Sequence, residues 1–114
     1  IIEGDFLAII IKSKEQIDLM RISGKIVAGA HEAMERAIKP GITTSELNAI
    51  CADFIKSQGA VASFLGYEGS FGAGPYPGSA CISINEEVIH GIPGPRKLKD
   101  GDVVSVDIGA YKNG

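Results

Sequence analysis

The sequence predicts an α+β fold, two helices followed by antiparallel strands, and three observations lead there. Two capping boxes, Ser13 to Gln16 and Thr43 to Glu46, each open an apolar repeat of helical period. That period stops at Gly59, beyond which short apolar runs alternate with glycine, proline and acidic residues. The composition, 114 residues with net charge −3, 45% hydrophobic and 22% charged, fits one ordinary domain or half of something larger. A disordered tail, a collagen and a multidomain enzyme are excluded.

The first apolar run, Phe6 to Ile11, predicts a β-strand, buried if paired and aggregation-prone if left as an edge. It is far short of the roughly 20 residues that span a bilayer, and acids rather than basic residues precede it, so neither a transmembrane helix nor a secretory signal is expected. From the Ser13 cap, Ile17, Met20, Val27, Ala30, Met34 and Ala37 or Ile38 recur at three- and four-residue steps, predicting a helix from about Lys14 to Ile38. Lys39-Pro40-Gly41 breaks it. After the second box, Leu47, Ile50, Cys51, Phe54 and Ile55 form one apolar face of a second helix, closed by Gly59 as a left-handed cap.

Ala60 to Leu65 then predicts a short strand. Gly66 to Gly78 holds five glycines, two prolines and three aromatics, a loop whose Tyr67, Phe71 and Tyr76 either line a pocket or pack on the core. Ala80 to Ile84 predicts a strand, Asn85 to Glu87 a turn, Val88 to Gly91 an extension of the strand, and Pro93 to Pro95 an irregular connection. Lys99 to Asp102 predicts a hairpin turn into a strand from Val103 to Ala110.

Several functions fall away on chemistry. The 11 lysines and arginines are scattered among 14 acids, with no basic stripe for nucleic acid. In the glycine-rich loop, Gly72 and Gly74 begin a G-x-G pattern, but Pro77 stands where a third glycine would offer its amide to a phosphate, and no Gly-Lys-Ser/Thr opens a helix. Cys51 and Cys81 lie in different elements without CxxC spacing, which suits reduced, buried thiols.

Two residues remain as candidates for chemistry. His31, inside the first helix beside Glu32, reads as a solvated or partly packed histidine, whereas His90 sits between a strand and the stiff Gly91-Ile92-Pro93 exit, a placement suited to facing a ligand. Asp107 is a lone carboxylate in the apolar run Val103 to Gly109; alternation puts Val103, Ser105 and Asp107 on one face and Val104, Val106 and Ile108 on the other. If that strand is buried on both sides, the carboxylate must either ligate a cation or accept several hydrogen bonds. Both readings stay open on spacing alone.

The string Cys81-Ile82-Ser83-Ile84-Asn85-Glu86-Glu87-Val88-Ile89-His90-Gly91-Ile92-Pro93, the run Gly101 to Gly109 and the segment Lys39 to Leu47 closely resemble the type I methionine aminopeptidases. The likeness spans residues 11–114; residues 1–10 read as an extension foreign to the family. It implies half of a pita-bread fold, two helices packed on an antiparallel sheet, in a cytoplasmic metal-dependent hydrolase that removes the N-terminal methionine of new polypeptides. The family's divalent metal ions, cobalt, manganese, iron or zinc, activate a water and polarise the scissile carbonyl. Carried over by position, Asp107 matches the first metal-ligating aspartate, and His90 matches the histidine that contacts substrate and helps stabilise the transition state. Phe64, Tyr67, Tyr76 and Cys81 match the methionine side-chain pocket.

The sequence also departs from the family pattern. The other ligands, an aspartate, a histidine and two glutamates, have no counterpart among these residues, Ser70 to Pro75 resembles an insertion, and Phe64 stands where a smaller residue is frequent. A truncated fragment, inactive alone, is therefore expected, working with a complementary C-terminal half or existing as a self-associating homo-oligomer.

Overall fold

A computed structural model describes residues 8–69 and 74–114. Helix α1 (Lys14–Ala37) and helix α2 (Thr44–Ser57) begin where their capping boxes place them. At each start the cap side chain accepts the third helical amide while Gln16 or Glu46 reaches back to the cap amide. Gly59 has φ +67°, the left-handed stop expected after α2. The inward face of α1 carries Ile26, Ala30 and Met34, and α2 lays Leu47, Cys51 and Ile55 against it. Ile17 and Met20 belong to the predicted apolar stripe but stay exposed.

Among the described residues four short strands complete the core: β1 (Val61–Ala62), β2 (Ala80–Ile84), β3 (Val104–Ile108) and β4 (Ala110–Tyr111). They form two antiparallel pairs, β1 with β4 and β2 with β3, in the register Ala80 opposite Ile108 through Ile84 opposite Val104. Both cysteines are free and buried.

The structure corrects four predicted strands. Residues 8–11 are not a strand: Ile9, Ile10 and Ile11 have no strand partner among the described residues and remain exposed, while Phe6 and Leu7 lie outside those residues. The strand predicted over Ala60 to Leu65 shortens to Val61–Ala62, since Phe64 and Leu65 already turn into the loop. Val88 to Gly91 does not extend β2; instead the chain doubles back, and the Gly91 carbonyl accepts the Ile82 amide at 2.8 Å on the edge of β2 away from β3. The last strand breaks at Gly109, where a Cβ would press on Ser63 and Phe64, giving β3 and β4. The turn at Lys99 to Asp102 exists, closed by Asp102 N donating to Lys99 O at 3.1 Å. The strand that β3 pairs with is nevertheless the distant β2, with Asn85 N bonded to Val103 O at its end.

Between those strands, residues 94–98 run alongside the connection between the helices. Thr44 N donates to Arg96 O, Gly41 N to Leu98 O and Leu98 N to Ile42 O, which buries Ile42 and Leu98. Among the described residues no helix is long and apolar enough to cross a membrane.

Candidate functional site

The β2–β3 register sets Cys81 directly opposite Asp107. On the face they share, β2 is covered and β3 is open: Cys81 and Ser83 are buried, whereas Asp107 and Ser105 are exposed. Alternation along β3 is as expected, with Val104, Val106 and Ile108 turned inward, and the strand is covered on that side alone. Asp107 faces solvent, so no buried charge demands neutralisation.

Tyr76 covers Cys81. Its ring meets Phe64 edge-on, with centroids 6.5 Å apart and planes at 89°, and its Oη donates toward Ala80 O at 2.9 Å and Gly91 O at 3.2 Å. Burial holds the Tyr76 phenol well above its ordinary range, and the Cys81 thiol and the Asp107 carboxylate push in the same direction. Phe64, Tyr76, Cys81 and Asp107 are therefore neighbours. Tyr67 joins them through the backbone only: its carbonyl accepts the Tyr76 amide at 2.9 Å and Gly66 N donates to Tyr76 O at 2.8 Å, closing the neck of the loop, while the Tyr67 ring stays exposed at its rim. Phe71, Gly72 and most of the Ser70 to Pro75 segment lie outside the described residues.

His90 is exposed and takes φ +59°, a left-handed conformation uncommon for its type. Gly91 beside it is fixed to β2, its amide donating to Ser83 Oγ at 3.0 Å, and a Cβ there would collide with the Ile82 carbonyl. The chain thus places His90 at one edge of β2 and Asp107 across the other. His31 is solvent-exposed on α1.

Two supporting residues escaped the sequence reading. Asn48 on α2 accepts the Ser79 and Ala80 amides, holding the start of β2, and Thr44 Oγ1 accepts from Gly94 N at 2.9 Å. An asparagine beside Leu47 on an apolar helix face was the available signal for the first; the second partnership spans fifty positions and leaves no local trace.

A catalytic divalent ion takes three or more protein ligands. Among the described residues no three His, Cys, Asp or Glu side chains come together, and Asp107 is a single open carboxylate. These residues alone do not fit a resident metal.

Residues 18–114 match the model of metallopeptidase family M24. Methionine aminopeptidase 1 of Bacillus subtilis is 53% identical over 106 residues, 93% of this chain and 40% of that protein. The methionine aminopeptidase of Escherichia coli K12 is 48% identical over 110 residues, 95% of this chain and 39% of the relative. The crystal structure of methionine aminopeptidase from Thermotoga maritima superposes with a TM-score of 0.83 at 36% identity, covering 93% of this chain and 41% of that one. The chain spans about 40% of the length of the curated relatives it matches.

Proposed function

The chain belongs to metallopeptidase family M24, and we propose that it supplies the methionine side-chain pocket and one metal-ligating aspartate of a methionine aminopeptidase acting on new polypeptides in the cytoplasm. The observation that supports this most is the meeting of Phe64, Tyr76, Cys81 and Asp107 on one face of the β2–β3 pair, with His90 fastened to the far edge of β2. Aromatic rings and a thiol suit a thioether side chain, which is apolar and polarizable. In this reading Phe64, Tyr67, Tyr76 and Cys81 hold the methionine, His90 contacts the substrate backbone, and Asp107 is the chain's contribution to the metal centre. Because one carboxylate does not retain a divalent ion, the chain alone is inactive and hydrolysis needs a complementary half carrying the remaining ligands.

A second reading, a non-catalytic half-domain that self-associates, is favoured by the uncovered face of β3. One experiment separates these. A Met-Gly-Met peptide is titrated into the chain by NMR, and methionine release is followed with added cobalt or manganese. Shifts confined to the pocket residues, without release, are expected. No shifts at all would sink the pocket assignment, and release that Asp107→Ala abolishes would overturn the inactivity.

A further inference from the structure

Tyr76 is assigned above to the pocket through its ring, yet its hydroxyl points at backbone. A phenol carries one hydrogen, and here it lies between two carbonyls, that of Ala80 at the start of β2 and that of Gly91 just after His90. The Gly91 carbonyl also accepts the Ile82 amide, and the Gly91 amide reaches Ser83 Oγ. The turn is therefore held to β2 immediately beyond a residue whose φ of +59° few side chains adopt unaided. Tyr76 is also the closing residue of the loop neck, through its backbone bonds to Gly66 and Tyr67.

We propose that Tyr76 is a positioning residue: its hydroxyl, shared between the Ala80 and Gly91 carbonyls, locks the left-handed turn at His90 and so sets the direction of the imidazole. The pocket loop and the His90 turn are then coupled through one side chain, so that a ligand displacing the Tyr76 ring also releases His90. The importance of that direction for activity rests on the function proposed above; the coupling itself does not.

Tyr76→Phe removes the hydroxyl and keeps the ring against Phe64. In the isotope-labelled chain, the His90 imidazole and Cα resonances are expected to move and exchange of the Ile82 and Gly91 amides to quicken about tenfold, while the Ala30 and Leu47 amides keep their protection. Phe64→Leu, which disturbs the same ring but spares the hydroxyl, is expected to leave His90 in place. His90 and Gly91 signals unchanged in Tyr76→Phe overturn the proposal. If that variant does not fold, the unaltered chain decides: a Tyr76 hydroxyl proton with nuclear Overhauser contacts to Ala80 and Gly91 supports the lock, and a freely exchanging one refutes it. Failure of the unaltered chain to bind methionine peptide counts against the function alone and leaves these signals to judge the coupling.

Discussion

The Asn48 Oδ1 accepts two amides, Ser79 N at 2.8 Å and Ala80 N at 3.1 Å, and both of those residues are buried. Asn48→Ala leaves two donors in a dry site with no partner, a loss of about 2–3 kcal/mol, while Asn48→Asp keeps the acceptor and most of the stability. Urea unfolding of the two variants checks this, and equal midpoints would contradict it. Cys51 offers a second test. Burial raises its thiol from 9.0 to about 11. Below pH 9 folded and unfolded chains both hold the proton, so this group adds no pH dependence. Between pH 9 and 11 the unfolded chain releases it first and stability falls, by roughly 2–3 kcal/mol across that window. Cys51→Ala makes the decline shallower; the part that remains, beginning near the ordinary tyrosine range, belongs to Tyr76.

At the scale of elements, the ladder between residues 94–98 and the inter-helix connection carries the long excursion from β2 to β3. Its polar centre is Thr44, whose hydroxyl donates to Gly94 O at 3.2 Å and accepts from Gly94 N. Thr44→Val keeps the shape and removes both bonds, a loss of about 1–2 kcal/mol. Its signature is local, with hydrogen exchange at Gly94 and Arg96 accelerated while the amides of β2 and β3 stay protected; uniform acceleration would show that the excursion is not a separate unit. This ladder was illegible in the sequence because it pairs two irregular segments with no apolar period. The helices were legible because Ser13 with Gln16 and Thr43 with Glu46 satisfy their ends locally. The β2 limits were legible from an apolar run bounded by turn residues. Asp107 was half legible: alternation assigned its face, but whether anything covers that face depends on Tyr76 and the turn after His90, which cover β2 and stop short of β3. The family string supplied the residues now proposed for the site, while the reach of the Tyr76 hydroxyl to backbone needed coordinates.

For the whole molecule the surface is the informative quantity. Ile9, Ile10 and Ile11 are exposed, and so is the outer side of β3, where Val103 is 67% exposed beside Ser105 and Asp107. The β3 edge away from β2 has no strand partner among the described residues, which leaves backbone donors and acceptors ready to pair. Apolar surface and an open edge on one small domain favour association, and a second copy offers the same edge in antiparallel register. Light scattering is therefore expected to give a mass above 11.9 kDa that rises with concentration. Ile10→Asp with Val103→Asp should lower that mass by placing a desolvated charge at the contact, without altering the helical circular dichroism. Cobalt, manganese or a chelator should leave the association unchanged, since Asp107 alone does not bind the ion firmly enough to bridge copies. A constant monomer mass across a hundredfold concentration range would rule out self-pairing and leave a complementary half as the partner for the open face of β3.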